Sequence, residues 1–301
     1  MKNLEKLVEL AAALPDAYKA GATELVERMG EVIEGFGDKP LEWRPELLKL
    51  VQGTSDRGKL PKGAGIGSFV LGEDVMETPM KTIPIRLWTS RQYWNPDPEQ
   101  AQMLCNSPDG VTGFQYGECR ACPYSKFDEE NKRSQCSKTL SVLSITGDLK
   151  RIFVTNFSKT NYMSGMDWQG LMKKAGVAPH KRMYTLASLT STKAKNVELI
   201  KAEPLKEGSK VEGPVLDFVT ELSRVSGEDR KLSLENFYEY VANKKARGDQ
   251  QALSAPADVV LLAAADEVTD VTPVEEETIA TDVVENAPTK PAKGGRKAYD
   301  L

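Results

Sequence analysis

The feature that most constrains this chain is the placement of its four cysteines. They all lie within one 32-residue stretch, as Cys105, Cys119, Cys122 and Cys136, with the spacing C-x13-C-x2-C-x13-C. Four thiolates complete a tetrahedral shell around Zn²⁺, and a two-residue gap lets one turn supply two of the ligands. We therefore predict that these four residues hold one structural Zn²⁺ ion as the cofactor.

Other uses of four cysteines are two disulfides, a redox C-x-x-C pair or an iron–sulfur cluster. The N-terminal segment has acidic residues inside its apolar stretch and resembles an amphipathic helix more than a signal peptide, so we expect a cytoplasmic chain in which disulfides are disfavoured. A redox pair needs a thioredoxin-like βαβ setting, which the sequence lacks. An iron–sulfur cluster also takes four thiolates, although its ligands are often more tightly clustered.

A catalytic metal is disfavoured by the composition of the chain. Its single histidine, His180, excludes a His-rich centre and lies far from the cysteines, so a deaminase-type zinc site is not available. Four thiolates also leave no open coordination position for a water molecule. We predict that the metal folds a loop and performs no chemistry, and we find no set of nucleophile, base and orienting residue that indicates an enzyme.

The pattern of apolar residues predicts an α+β fold built on a small barrel. Strand-like segments and one helix follow each other in the order of an OB-fold, whose helix lies between its third and fourth strands; they are strands 81–94, 138–147 and 151–158, helix 160–176, and strands 182–192 and 196–205. A different small β-barrel or a split α+β sheet would give the same order. We predict an OB-fold-like β-barrel with an inserted four-cysteine zinc segment, flanking helices and a disordered acidic C-terminal tail.

The predicted organisation has four parts. They are an N-terminal helical segment (1–40), an OB-like nucleic-acid-binding domain (41–210) with its zinc insertion (100–137), a helical segment (211–250) and the acidic tail (251–301). Two helices are predicted within 211–250, at 214–225 and 233–248. No apolar run reaches the roughly 18 residues that a membrane span needs, so no membrane partner is expected.

Charge is distributed unevenly along the chain. The formal net charge is −4, but residues 251–301 carry ten acids and four bases, whereas residues 138–210 carry 13 bases and five acids. Blocks of one sign are typical of solvated tails or interaction surfaces. A basic middle with an acidic tail indicates a protein that binds a polyanion and competes with it internally. The alternative is that both blocks only keep the chain soluble.

Aromatic and basic residues interleave on the predicted strands, which is typical of proteins that stack nucleobases and track phosphates. The candidate nucleic-acid-binding residues are Arg86, Trp88, Arg91, Tyr93, Trp94, Tyr116, Lys150, Arg151, Phe153, Phe157, Lys181, Arg182 and Tyr184. In the strand 151–158, alternation places Phe153 and Phe157 on one face and Ile152 and Val154 on the other. If the phenylalanine face is the buried one, these two rings are not available for stacking.

Several motifs give the chain a resemblance to a group of tailed-phage proteins over roughly residues 45–205. They are LLKLVQG (47–53), Leu60-Pro61-x-Gly63-x-x-x-Gly67-x-Phe69, Cys105-x-Ser107-x-Asp109-Gly110 and Cys119-x-x-Cys122-Pro123. In outline the chain also resembles phage single-stranded DNA-binding proteins of the T-even type, which have an OB-fold, a zinc subdomain and an acidic C-terminal tail. The T-even zinc ligands include a histidine, whereas this chain offers four cysteines.

These observations together predict a non-enzymatic single-stranded DNA-binding protein that acts in phage DNA replication or recombination. Its partners would be single-stranded DNA and, through the acidic tail, replication proteins. The main alternative is a phage factor that binds a host or phage polymerase through its zinc segment. A virion component and a nuclease or repair enzyme are further alternatives.

Overall fold

The structure of the protein is a computed structural model, and it describes most of the first 247 residues. The described ranges are 4–30, 45–95, 102–127, 134–192, 197–205 and 209–247. The chain divides into two units, Met1–Thr269 and Asp270–Leu301, and every described residue belongs to the first. The predicted acidic tail, 251–301, lies outside the described residues. Within the described part, no helix has the length and apolarity needed to cross a membrane.

Four α-helices flank a curled sheet in the described part of the chain. They are α1 (Leu4–Ala12), α2 (Asp16–Gly30), α3 (Tyr162–Lys174) and α4 (Gly213–Arg247). Helix α3 lies within two residues of the predicted helix 160–176 at each end, and α1 and α2 lie within the predicted N-terminal helical segment 1–40. Helix α4 is continuous where two helices were predicted. Gly227 in its middle costs about 1 kcal/mol of helix propensity, but buried Leu222 and Phe237 hold the helix on either side of it, and packing of this kind outweighs propensity.

Eleven strands are present in the described residues. They are β1 (Glu46–Leu50), β2 (Phe69–Leu71), β3 (Asp74–Met76), β4 (Met80–Trp94), β5 (Met103–Ser107), β6 (Thr112–Gly113), β7 (Gly117–Glu118), β8 (Cys136–Thr146), β9 (Ile152–Ser158), β10 (Tyr184–Thr190) and β11 (Glu198–Pro204). Nine of them form one sheet in the order β11-β10-β4-β8-β9-β1-β2-β3, with β5 paired to the end of β4, and β6 and β7 form a separate pair. The sequence did not predict β3, β5, β6 and β7, which are short and lie in polar segments.

Strand β4 is the central strand of the sheet. Its first residues pair antiparallel with β10, most of its length pairs with β8, and its last residues pair with β5. The register with β8 shifts between Pro84 and Arg86, which is the irregularity that a proline inside a strand predicts. Because a bulge adds one residue to one strand, it reverses which side chains face which side of the sheet. Arg86 and Trp88 consequently face helix α4.

The sheet curls into a half-barrel whose two faces are both covered. Helix α3 packs on one face, where Phe153, Phe157 and Trp168 are fully buried. Helices α1, α2 and α4 cover the other face at a core that includes Ile145 and Phe218. The helices on both sides explain why the described strands contain continuous apolar runs in place of a simple alternation.

The burial of three predicted nucleic-acid contacts corrects the sequence analysis. Phe153 and Phe157 have no exposed surface and Tyr184 is 1% exposed, so none of these rings is available to stack on a base. The physical reason is that β9 and β10 lie within a sheet covered by helix α3. The two phenylalanines are buried, and Ile152 and Val154 on the opposite face of β9 are buried as well.

Gly165 determines how closely helix α3 approaches β9. A Cβ atom at Gly165 would lie 2.5 Å from Cγ of Phe157, whereas one at Gly170 on the same helix would contact nothing within 4 Å. We expect Gly165→Ala to lower the free energy of unfolding by about 1–3 kcal/mol through overpacking. Gly170→Ala should raise it by up to about 1 kcal/mol because alanine is the better helix former. Urea unfolding of both variants checks this, and equal effects would contradict it.

Candidate metal centre

The four cysteines converge on one small cavity at the end of the central strand. Cys105 lies in β5, Cys119 and Cys122 follow β7, and Cys136 begins β8; all four are buried and line the same cavity. Tyr93 of β4 is the register partner of both Cys105 and Cys136. Because β4 lies between β5 and β8, this register brings the first and last cysteines to the same level of the sheet.

A tight turn presents the two middle cysteines. The backbone N–H of Cys119 donates to the carbonyl of Val111 at 2.7 Å, and that of Cys122 donates to the carbonyl of Glu118 at 3.1 Å. The Ser125 hydroxyl donates to the carbonyl of Cys122 at 2.9 Å and also reaches the carbonyl of Cys119. The turn is therefore held by its own backbone and one hydroxyl, so its shape is defined locally.

The hairpin formed by β6 and β7 packs directly against the cysteine cluster. A Cβ atom at Gly113 would lie 2.7 Å from Sγ of Cys105, so only glycine allows this approach. Gly117 has a φ of 71°, a left-handed conformation that glycine adopts without strain. These two glycines let a short hairpin enclose the sulfur of Cys105.

Hydrogen-bond donors point at two of the sulfurs. The backbone amides of Gln115 and Tyr116 donate to Cys105, and the side chain of Arg91 donates to Cys136. Donors of this kind favour the thiolate over the thiol, but the desolvation that burial imposes outweighs them, and the pKa of Cys105 and Cys136 is raised. The guanidinium of Arg91 also supplies positive charge beside a cluster that would carry negative charge when bound to a metal.

Burial opposes ionisation of the same thiols. It raises the pKa of Cys136 to about 11 despite Arg91, and it raises the pKa of Cys105 and Cys119. The four cysteines are free thiols, and no disulfide joins them. Without a cation, the neutral thiol is therefore the favoured form of Cys105, Cys119 and Cys136 at pH 7. A bound divalent ion would offset the desolvation that burial imposes on thiolates.

The sulfurs surround the cavity without meeting at its centre. In the described ranges, no three His, Cys, Asp or Glu side chains are close enough together to form a metal-binding group. A zinc shell needs Zn–S distances of about 2.3 Å, which places the sulfurs about 3.8 Å apart. Uncharged thiols have no attraction that would draw them to this separation. The shared cavity, the donors at the sulfurs and the four-thiol set fit a zinc ion that would close the shell.

Helix α4 covers one side of the cysteine cluster. Phe237 and Val241 are buried against Tyr93, Cys105 and Cys136. One turn further along the helix, buried Lys244 donates to the side chain of Gln115 at 2.6 Å. The sequence analysis did not connect this helix with the cysteines. The spacing of four and then three residues between Phe237, Val241 and Lys244 marked one face of a helix, but nothing in the sequence indicated which surface that face covers.

Three tyrosines stack beside the cluster and end at the surface. The rings of Tyr93 and Tyr124 are stacked with their centroids 4.3 Å apart, and Tyr116 is tilted against Tyr124 at 5.0 Å. Tyr93 is buried, which corrects its prediction as a nucleic-acid contact, because it fills the space between the cysteines and helix α4. Tyr116 is 41% exposed, and so is Trp94 at the end of β4.

A cationic surface adjoins these rings. Arg91 and Lys138 are register partners in neighbouring strands, so their side chains lie on the same face. Lys138 is exposed, with its Nζ 5.4 Å from the centre of the Tyr162 ring. Lys126 is also exposed, in the segment that follows the cysteine turn. We call these residues near the cysteines the aromatic–cationic edge: Arg91, Trp94, Tyr116, Lys126, Lys138 and Tyr162. Trp94 donates to the side chain of Gln92 at 3.5 Å, so it projects from the opposite face of β4 to Arg91.

The remaining predicted basic residues lie elsewhere. Exposed Lys150 is in the turn between β8 and β9, at the opposite end of β8 from Cys136. Lys181 is exposed and Arg182 is half-buried just before β10, near the first residues of β4. Arg151 binds Glu46 and, at 2.6 Å, Asp74. These four side chains therefore do not join the aromatic–cationic edge.

Arg86 and Trp88 are half-buried beneath helix α4. Nη2 of Arg86 donates to the carbonyl of Ser223 at 2.9 Å, and the guanidinium carbon of Arg230 lies 4.4 Å from the centre of the Trp88 ring. The sequence analysis predicted these two residues as part of an open nucleic-acid surface. A helix that follows more than 120 residues later in the chain covers them instead.

Comparison with known proteins does not assign the chain to a family. No family model, no curated protein and no solved structure matches it. What the site can do is therefore argued from its own geometry. Four thiolates would leave a metal with no open position, and the surface beside them combines exposed rings with cations.

The contact between helix α4 and the cysteine cluster can be tested by mutation. We expect Phe237→Ala to lower the free energy of unfolding by about 3–5 kcal/mol, because it leaves a cavity beside the cluster. Leu232 lies on the same helix but is 59% exposed, so Leu232→Ala should change it by about 0.5 kcal/mol or less. Hydrogen exchange should increase in residues 102–127 for Phe237→Ala only. Unchanged exchange there would contradict the assigned contact.

Proposed function

We propose that the protein is a non-enzymatic single-stranded DNA-binding protein in which four cysteines hold one structural Zn²⁺ ion. The observation that carries the proposal is the aromatic–cationic edge, which lies beside a four-cysteine segment inserted between two strands of the half-barrel. DNA replication or recombination in a phage is the setting that the motif resemblance implies.

The pairing of five strands supports an OB-like assignment. Strands β4, β8, β9, β10 and β11 follow in chain order, with helix α3 between the third and the fourth, as in an OB-fold. Strand β4, the first of the five, pairs with β8, the second, and with β10, the fourth. Strand β11, the fifth, pairs with β10. Strand β1 pairs parallel with β9, and the side chain of Gln52 just beyond it hydrogen-bonds the backbone N–H and C=O of Glu198 in β11. An added strand and one amide thus span the gap between the third and fifth strands.

The assignment places the cysteine segment where OB-folds bind their ligands. Oligonucleotides contact the face of the second and third strands and the loops that join strands 1 and 2 and strands 4 and 5. In this chain the loop between the first and second strands runs from residue 95 to residue 135 and contains three of the four cysteines. A metal that shapes this loop would therefore shape one wall of the binding surface.

The composition of the edge fits an unpaired strand. Exposed rings such as Tyr116 and Trp94 offer faces on which bases stack, with about 1–3 kcal/mol per base. Exposed lysines such as Lys126 and Lys138 attract phosphates without reading sequence. An unpaired strand offers both groups at once, whereas the bases of a duplex are already stacked on each other.

The zinc ion would be held by Cys105, Cys119, Cys122 and Cys136. With four thiolate ligands it supplies folding free energy and no open position for catalysis. Arg91 would donate to the Cys136 thiolate, and the amides of Gln115 and Tyr116 would donate to that of Cys105. The turn around Cys119 and the hairpin beside it would then be fixed relative to β4 and β8.

The zinc content of the purified protein can be measured directly. We expect about one zinc per chain in the purified protein by elemental analysis, since four thiolates make a complete shell. Cys122→Ser should lose the metal and lower the melting temperature, because the remaining buried cysteines lose the cation that offsets the desolvation of their thiolates. Asp109→Asn is the control, since Asp109 lies beside the cluster but is not expected to be a ligand. Zinc-free wild-type protein, or iron in place of zinc, would contradict the proposal.

Binding of single-stranded DNA can be tested on individual edge residues. We expect Tyr116→Ala to weaken binding to an oligo-dT by about 5- to 150-fold, which corresponds to the loss of about 1–3 kcal/mol of stacking. Tyr116→Phe keeps the ring and should bind like the wild type. Fluorescence anisotropy measures the affinities, and the zinc content of each variant shows whether the metal site is intact.

The exposed lysines should make the affinity for single-stranded DNA depend on salt concentration. Lys138→Gln should reduce the slope of log affinity against log salt by about 0.7 if one phosphate contact to a single strand is lost. Lys62→Gln, an exposed change in another part of the chain, should leave the slope unchanged. An affinity of the wild type that does not depend on salt would contradict the proposal.

A protein-binding role is the second candidate. Two large apolar side chains on the cysteine segment are exposed, Phe127 at 67% and Val111 at 59%. Exposed apolar side chains on one segment favour contact with another protein. Failure of zinc-loaded protein to bind either single- or double-stranded oligonucleotides would favour this role, with a host or phage polymerase as the proposed partner.

A further inference from the structure

Two arginines meet between helix α4 and strand β4, away from the cysteines. Arg86 and Trp88 project from the same side of β4, and Arg230 on α4 lies over Trp88 with its guanidinium carbon 4.4 Å from the ring centre. Gly227 lies one turn before Arg230, and a Cβ atom there would collide with the guanidinium of Arg86 unless that side chain moved. The helix therefore packs onto β4 with two guanidiniums in the contact.

Both guanidiniums donate hydrogen bonds to backbone carbonyls. Arg86 donates to the carbonyl of Ser223 at 2.9 Å, and Arg230 donates to the carbonyl of Pro108 at 2.6 Å. Nε of Arg86 is buried and has no hydrogen-bond acceptor among the described residues. Within that part of the chain, neither guanidinium forms an ion pair with a carboxylate.

One carboxylate, that of Asp109, acts on Arg230 through its charge, so it offsets at most one of the two guanidinium charges. Asp109 accepts hydrogen bonds from the Tyr238 hydroxyl and from the amides of Val111 and Thr112, at 2.8 and 2.9 Å for the two amides. The next arginine on the helix differs from Arg230, because Arg224 forms ion pairs with Glu221 and Glu228. The Arg86–Arg230 pair thus has excess positive charge that the described carboxylates do not neutralise.

Electrostatics indicates that this excess is costly without an anion. Burial, together with the charge of Arg86, lowers the pKa of Arg230 to about 10, far below the range of an ordinary guanidinium. Like charges repel more strongly where water is excluded. An anion with several hydrogen-bond acceptors would reduce the repulsion between the two guanidiniums. It would also accept a hydrogen bond from Nε of Arg86.

We propose that Arg86 and Arg230 together bind an oxyanion of the phosphate class between β4 and α4, with Trp88 beside them. The planar forks of two guanidiniums match the oxygens of phosphate and donate charge-assisted hydrogen bonds to them. The site does not depend on the proposed DNA binding. Its ligand is either free phosphate or a phosphate of a polynucleotide backbone, and the two sources are separated below.

The test is thermal unfolding of the full chain in phosphate and in chloride at equal ionic strength. We expect phosphate to raise the melting temperature of the wild type in a concentration-dependent way, because a ligand of the native state stabilises it. Arg230→Gln should weaken phosphate binding at least about tenfold, since it removes charge-assisted hydrogen bonds. In chloride alone it should melt at or above the wild-type temperature, because it removes a repulsion.

Controls separate an anion site from a structural contact. Arg224→Gln, on the same helix, should retain the phosphate-dependent shift, and Arg230→Lys should retain part of it. If the wild type shows no shift beyond that of chloride, the proposal is overturned. It is also overturned if Arg230→Gln melts lower than the wild type in both buffers and keeps the full phosphate shift, because the arginine is then a packing residue.

An oligonucleotide arm identifies the source of the phosphate. If Arg230→Gln also weakens oligo-dT binding, and if free phosphate competes with oligo-dT in the wild type only, the site holds a backbone phosphate. If Arg230→Gln leaves oligo-dT binding unchanged while losing the phosphate shift, the ligand is free phosphate. A phosphate shift in a protein that binds no oligonucleotide would support this site while the proposed DNA-binding function fails.

Discussion

The register of the fifteen-residue strand β4 is the constraint on which the rest of the structure depends. Its first residues pair with β10, its middle with β8 and its end with both β8 and β5. Tyr93 lies between Cys105 and Cys136 in this register. Because neighbouring side chains of a strand point to opposite faces, a slip of one residue would turn one of these cysteines away from the cavity. The proposed metal shell and the sheet therefore specify each other.

The irregularity at Pro84 divides β4 into two parts with different roles. Before it, Ile83 belongs to the core beneath the helices; after it, Arg86 and Trp88 face helix α4. Arg91 and Tyr93 face the cysteine cluster. One strand thus carries a core segment, the arginine pair and one wall of the proposed zinc site. Helix α4 contacts first the arginine pair and then the wall of the proposed zinc site, which explains why it is long and uninterrupted.

Much of the fold could be predicted from local pattern. The apolar spacing identified β4, β8, β9 and α3 close to their observed bounds. The short strands β5, β6 and β7 escaped prediction because their residues form strands only through partners supplied by the cysteine segment. The break predicted in α4 failed for a related reason. Propensity near Gly227 favours a turn, whereas contacts with β4 on either side of it hold the helix together.

The candidate site, like the fold, was only partly predictable from the sequence. The sequence by itself determined that four cysteines lie within 32 residues and that the one histidine lies far from them along the chain, which limits the proposed metal site to thiolate ligands, and it determined which rings and cations the chain carries. Only the tertiary structure decided which of these reach solvent. Phe153 is enclosed by helices on both faces of the sheet, whereas Tyr116 ends at the surface. Alternation along a strand shows that two side chains share a face, but the covering of that face depends on elements distant in sequence.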